Sequence, residues 1–292
     1  MHFGGIDDKS TDYETARFVV IPVPYDLTST YQAGSRKGPQ AILEASCNME
    51  LFDEELCTET FRAGIHTMSP LEVAASGPET MIGKVEKVVA DICADDKIPV
   101  TLGGEHSISI GAIAAVHAWY PDLTVVHLDA HADMRDSYQG TRYGHASVAR
   151  RVSEMCPVIE IGIRSMSYEE DCFIREQGVY VVSADEMKTD SECIGNICAS
   201  LSSDVYVSID LDVFDPAVMP ATGTPEPGGL TWDDVRKVTK AIARTARIRG
   251  FDIVELCPLP GIVAPDFTAA KLVYRMMGYC ELHDNGYREV EK

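Results

Sequence analysis

Val125-Val-His-Leu-Asp129-Ala-His131-Ala-Asp133 begins as an apolar run and ends in alternating carboxylate, imidazole and carboxylate. Alternate residues of a strand point the same way, so three polar side chains can converge on one point at the strand's end. The event recurs at Val205-Tyr-Val-Ser-Ile-Asp210-Leu-Asp212, where two more carboxylates stand two residues apart after an apolar run. One such acid alone reads as a helix cap or a loop acid. Two alternating clusters at strand ends point instead to a metal centre built at one edge of a sheet.

The flanking sequence supplies that sheet. Ala16–Ile21, Phe61–Met68 (the weakest candidate), Ile98–Leu102, Thr124–Leu128, Val158–Gly162, Val179–Ser183, Val205–Ile209 and Phe251–Leu256 read as strands. Between them lie helical segments. Pro39 suits a helix N1 position, and Ile82, Val85, Val88, Val89 and Ile92 recur at helical steps. Ser109–Trp119 reads as a helix, Thr231-Trp-Asp-Asp234 opens one with a capping box, and Asp266 is expected to cap the last. Apolar strands alternating with helices predict a three-layer α/β/α fold with a mostly parallel sheet of about eight strands. No linker or repeat interrupts residues 1–292, which are expected to form a single domain.

Open sheets of this kind bind ligands beyond the carboxyl ends of their strands. The polar clusters fall there: Gly103-Gly-Glu-His106-Ser after Leu102, Asp129 after Leu128, Asp210 after Ile209, and Glu255 after Val254. His106, Asp129, His131, Asp133, Asp210 and Asp212 together offer four carboxylates and two imidazoles. Two ions sharing bridging carboxylates would use all six. A donor set without thiolate favours Mn²⁺ over other divalent ions. His127 reads as a satisfied core histidine.

Composition narrows the function further. With 45% hydrophobic residues the chain can bury a large core, and a net charge of −21 argues against nucleic-acid binding. An acidic surface suits a cationic small substrate, and equally suits solubility alone. Nine cysteines, scattered singly without a C-x-x-C pair, read as reduced thiols of a cytoplasmic protein. The first residues show no signal-peptide pattern, and no long apolar run suggests a membrane span.

At these same residues the chain resembles the ureohydrolase (arginase–agmatinase) family. Gly103-Gly-Glu-His106-Ser, Asp129-Ala-His-Ala-Asp133 and Ser208-Ile-Asp210-Leu-Asp212-Val-Phe-Asp-Pro are its three metal motifs in order. The likeness extends to Pro24-Tyr-Asp, Gly34-Ser-Arg-Lys-Gly-Pro-Gln-Ala-Ile, Ala221-Thr-Gly-Thr-Pro-Glu-Pro-Gly-Gly and Asp252-Ile-Val-Glu255. It implies a binuclear manganese centre, with His106, Asp129, Asp133 and Asp210 on one ion and Asp129, His131, Asp210 and Asp212 on the other. Glu255 would hold a guanidinium, His145 would shuttle protons, Thr224 would line the pocket and Asp133 would relay a proton. The family also implies a homo-oligomer, a trimer or a hexamer. Glu105 departs from the aspartate common at that place; it is not a ligand, so the departure weighs little.

The run after Asp133 bears on the substrate. Met-Arg135-Asp136 replaces the asparagine of arginase-type members and resembles the agmatinase branch. That favours agmatine, hydrolysed to putrescine and urea. Arg135 could instead pair with the carboxylate of guanidinobutyrate or formimidoylglutamate, or lie at a surface or subunit contact. Aminopropylagmatine and arginine are further alternatives. A single-zinc deacetylase or a non-catalytic relative would lack part of the ligand set, which is complete here.

Overall fold

The eight apolar runs form eight strands of one sheet in the computed structural model, which describes residues 1–6 and 9–285. In chain order they are β1 (Phe18–Val23), β2 (Ile65–Thr67), β3 (Ile98–Gly103), β4 (Thr124–Leu128), β5 (Val158–Ile163), β6 (Tyr180–Ser183), β7 (Asp204–Asp210) and β8 (Arg247–Val254). Their order across the sheet is β2-β1-β3-β8-β7-β4-β5-β6. Every strand pair in it is parallel, where a mostly parallel sheet was expected.

Alternation along the strands divides the core in two. Phe18 and Val20 face a cluster with Ile42, Val238, Ile242 and Val273, which come from helices Gly38–Ser46, Trp232–Thr245 and Ala264–Cys280. Val19, Ile21 and Val23 face the opposite cluster with Val85, Val89, Ile113 and Val152, from helices Pro78–Ala94, Ser109–Trp119 and Val148–Ser153. Helices therefore cover both faces, as continuous apolar parallel strands require. No described helix is long and apolar enough to cross a membrane.

Several boundaries differ from expectation for local reasons. β2 keeps only three residues, because residues 60–63 coil into a 3₁₀ turn that ends at Gly64 with φ 87°. β8 starts at Arg247 and stops before Glu255, whose φ of 63° breaks the extended backbone. Pro39 lies one place inside the helix that begins at Gly38. Thr231 and Asp234 form the expected capping box. Asp266 does not cap: its helix starts at Ala264, with Pro265 and Asp266 in the first turn.

β3, β8, β7 and β4 are consecutive neighbours at the centre of the sheet. They are the four strands whose ends carry His106, Glu255, Asp210 and Asp129. The loop after β3 is held between its neighbours by backbone bonds. Gly104 N–H donates to Val23 O (2.9 Å), Glu105 N–H to Tyr25 O (2.7 Å) and Glu255 N–H to Gly104 O (2.8 Å). A Cβ on Gly104 would lie 1.9 Å from the Tyr25 carbonyl oxygen, so only glycine permits this approach. Gly104→Ala is expected to cost about 3 kcal/mol and to lower the thermal midpoint by roughly 5 to 10 °C. An unchanged midpoint in a melting experiment would contradict the close packing.

Candidate metal centre

Asp129 leaves β4 with both carboxylate oxygens committed to the cluster. Its Oδ1 accepts the His131 amide (2.6 Å), while its Oδ2 lies 3.1 Å from His106 Nδ1. His106 Nδ1 is also 3.3 Å from Asp210 Oδ2 and 3.6 Å from Asp133 Oδ2. His131 Nδ1 stands 2.9 Å from Asp212 Oδ2 and 3.6 Å from Asp129 Oδ1. Candidate ligand atoms of His106, His127, Asp129 and Asp133 fall within 4.8 Å of one another, and so do those of Asp129, His131 and Asp212. Asp129 is common to both groups, as a bridging ligand would be. Asp210 approaches the first group through His106; the second group does not include it.

The hydrogen bonds behind the cluster define its donors. Ser208 Oγ donates to Asp252 Oδ1 (2.7 Å) and lies 2.8 Å from His106 Nε2. With its own proton on Asp252, the hydroxyl accepts from Nε2–H, so Nδ1 is the nitrogen that faces the carboxylates; despite burial, Asp129 and Asp210 hold this imidazole well above its usual range until a cation displaces the Nδ1 proton. Nδ1 is a buried nitrogen without a hydrogen-bond partner, and Asp129 Oδ2 beside it is a buried oxygen without one. Orphaned buried polar atoms are costly. A pair of them facing each other among four carboxylates fits bound cations, and the hard oxygen and imidazole donors fit a divalent one. His127 is less satisfied than expected. Nδ1 bonds Glu160 Oε2 (2.8 Å) and the ring stacks on His106, but Nε2 has no partner and lies 3.4 Å from Asp129 Oδ2.

Crowding the acids has electrostatic consequences. Burial opposes charge on Asp129, yet His106 and His131 hold its carboxyl well below the usual range. Burial, reinforced by the charges of Asp212 and Asp129, pushes Asp210 well above it. Asp133 is pushed well up by burial and by Asp129, and Asp212 is raised by the same two causes. His131, despite burial, rises to about 12 against Asp129 and Asp212.

Glu255 closes the cleft from β8. Its Oε1 accepts the His106 amide (2.7 Å), and burial and then Glu105 push its carboxyl up to about 8. Asp133 and Glu255 both have left-handed backbones, φ 48° and 63°. For residues with a Cβ this costs about 1–2 kcal/mol each, and such strain concentrates at functional positions. His145 sits opposite, its ring nitrogens near Thr28 Oγ1 (3.4 Å) and Thr30 Oγ1 (3.2 Å). Burial, followed by the charges of His131 and His106, lowers it to about 4, so its imidazole is neutral near pH 7. Thr224 lines the same cleft of about 240 Å³, as do seven more of the nine expected residues; Asp129 does not line it and is buried against His106, which does.

Other contributors escaped sequence reasoning. Glu105, discounted there, is buried and accepts Thr28 N–H (2.6 Å) as well as the hydroxyls of Thr28 and Ser107 (both 2.5 Å). It thereby fixes the loop that faces His145. Ser208, Asp252 and Glu160 are polar residues inside otherwise apolar strands, and that misplacement was the available signal. Glu226 lies 3.7 Å from His131 Nε2 and accepts Ser165 Oγ–H (3.0 Å); its position in a loop gave no signal.

Comparisons with known proteins place the chain among characterised relatives. The chain matches the Arginase family over residues 16–278. It is 40% identical to an N(1)-aminopropylagmatine ureohydrolase of Synechocystis sp., an alignment covering 92% of this chain and 90% of that protein. It is 34% identical to an agmatinase of Pyrococcus horikoshii, covering 92% and 94%. The crystal structure of an agmatine ureohydrolase of Thermoplasma volcanium superposes with a TM-score of 0.87 at 35% identity, covering 96% of both chains.

The Glu255 shift makes a stability prediction. Its carboxyl, raised from 4.5 to about 8, holds a proton in the folded, cation-stripped protein that the unfolded chain releases. That contribution is complete below pH 4.5 and is lost as pH rises through about 8. Stripped wild-type protein is therefore expected to lose stability relative to Glu255→Gln between those limits. Shifted groups that do not sense Glu255 are common to both proteins and drop out of the difference, while Glu105, which does, belongs to the same effect. Thermal midpoints measured across pH would refute the assignment if the two proteins ran parallel.

Proposed function

The chain belongs to the arginase family, whose hydrolases cleave guanidino C–N bonds, and we propose that it hydrolyses a linear guanidine with a cationic tail, releasing urea and an amine. The observation that carries this reading is the convergence of His106, Asp129, His131, Asp133, Asp210 and Asp212 beside Glu255 at one sheet edge. Agmatine, yielding putrescine and urea, is the substrate expected from sequence. The relative of 40% identity is named for the aminopropyl derivative, which supports placing N(1)-aminopropylagmatine ahead of agmatine itself.

Two divalent ions, of which Mn²⁺ suits the donors best, would be held by these six residues and would supply an activated water at neutral pH. The chain's own groups do the rest. A guanidinium is planar and always charged. Glu255, with one oxygen already fixed by the His106 amide, accepts its N–H groups and orients the central carbon. The cation's charge offsets the burial that raises Glu255, so binding favours its ionised form. Asp133, pushed up by burial and by Asp129, can take a proton and give it to the departing amine. His145, lowered to about 4, holds a proton only transiently and so hands on towards solvent any that it receives.

We further propose that residues 1–292 work as a single domain, in the cytoplasm, assembled as a homo-oligomer. The family likeness and the nine cysteines, all free, support this.

Asp210→Asn is expected to lower metal content and urea release together; full activity with intact metal would remove it from the ligand set. Glu255→Gln should keep its metal while kcat/KM falls by at least about a hundredfold, and unchanged turnover would exclude it. A urea-release panel with Mn²⁺ should favour aminopropylagmatine, then agmatine, over arginine, guanidinobutyrate and formimidoylglutamate. A carboxylated winner would overturn the substrate but not the reaction class.

A further inference from the structure

Among the described residues that line the cleft, Arg135 is the only arginine or lysine, and the structure gives its charge a partner inside the same wall. Its Nε lies 3.8 Å from Glu170 Oε2, and its guanidinium rests 4.9 Å over the Tyr138 ring. Arg135, Tyr138 and Glu170 all line the cleft. Glu170 is buried, with 4% of its surface exposed, and its placement is fixed from several sides. Its Oε1 accepts the Met134 amide (3.0 Å), next to Arg135 in the chain. Its Oε2 accepts the amide and hydroxyl of Ser167 (both 2.7 Å), completing the capping box of helix Tyr168–Gln177.

We propose that Glu170 is a specificity residue that neutralises Arg135 and so excludes guanidines bearing a carboxylate tail. This rests on the reaction proposed above and names the substrate feature the cleft rejects. A carboxylate drawn to Arg135 must approach Glu170, which the backbone amide and the helix cap prevent from withdrawing. Two carboxylates would then share one guanidinium in a partly buried wall, where repulsion is poorly screened. A distal ammonium meets no such conflict, because Glu170 and Arg135 together present little net charge. Discrimination of this kind comes from a built-in repulsive element rather than from an added attraction. Asp136 does not contribute, since it is turned to Arg142 (2.9 Å) and Arg151 (2.7 Å).

The test compares kcat/KM for 4-guanidinobutyrate and agmatine in wild type, Glu170→Gln and Glu170→Gln/Arg135→Gln. Glutamine keeps an acceptor for the Met134 amide and removes the charge. The ratio of anionic to cationic substrate should rise about tenfold or more in the single variant and return in the double variant. No rise, or a rise that survives loss of Arg135, overturns the proposal. Should Glu170→Gln not fold, Glu170→Asp, whose shorter side chain draws the carboxylate away from Arg135, should raise the ratio by a smaller factor; no rise there overturns it equally. Calorimetric dissociation constants for putrescine and 4-aminobutyrate in the same proteins give a reading independent of turnover. If wild type releases urea from no guanidine, the proposed reaction fails, and those constants still decide whether Glu170 filters the tail.

Discussion

Like-charge repulsion is the constraint on which this structure turns. Asp129, Asp133, Asp210 and Asp212 are all buried around two imidazoles, where each ionised acid raises the cost of the next. A flexible loop would relieve that cost by moving apart. Four adjacent central strands do not, because their separation is set by the hydrogen-bond ladder at about 4.8 Å. The sheet stores an electrostatic demand at its carboxyl edge, and cations meet it. The cationic end of a substrate adds to the same compensation, so ion binding and guanidine recognition draw on one source.

Groups that bind nothing directly hold the demand in place. Asp252, through Ser208, fixes the His106 ring so that Nδ1 faces the acids. Ala130 N–H holds Asp212 Oδ1 (3.0 Å), and Asp212 N–H holds Asp210 Oδ1 (2.8 Å). The last two bonds link successive ligands through backbone amides, so moving one carboxylate shifts another. Glu105 extends the arrangement outward by anchoring the Thr28 loop to the turn that presents His106. This is why the strain at Asp133 and Glu255 is tolerated: neither residue can relax without disturbing neighbours fixed by these bonds.

Features written in local periodicity were legible in the sequence. Thr124–Leu128 and Ser109–Trp119 were bounded correctly because apolar runs and turn residues mark them directly. The edge of the sheet was legible too, since carboxylates at the ends of apolar strands have few other uses. What stayed hidden depends on geometry across strands. Glu160 lies on β5 and meets His127 on β4 only through the register that pairs those residues. Asp252 on β8 meets Ser208 on β7 in the same way. In sequence Glu160 is a single polar residue in an apolar run, and Asp252 stands only as part of the motif that ends in Glu255. Asp266 misled because an acid in a helix's first turn and an acid at its cap have the same local sequence.

Arg135 shows the same limit at the point where selectivity is decided. From sequence, its charge could meet a substrate carboxylate, a neighbouring subunit or water. Its partner lies thirty-five positions along the chain, on a helix whose capping box requires a glutamate for its own reasons. Ser167-Tyr-Glu-Glu170 therefore reads as an ordinary helix start, and nothing local reveals that one of its oxygens also faces the cleft. A single carboxylate thus caps the start of a helix, positions the backbone after Asp133 and sets the charge of the wall. Because the three tasks share one side chain, the loop's shape and its electrostatic preference change together. A chain that kept the buried acids and imidazoles of the cluster but lost this glutamate would keep the proposed chemistry and meet a different class of tail.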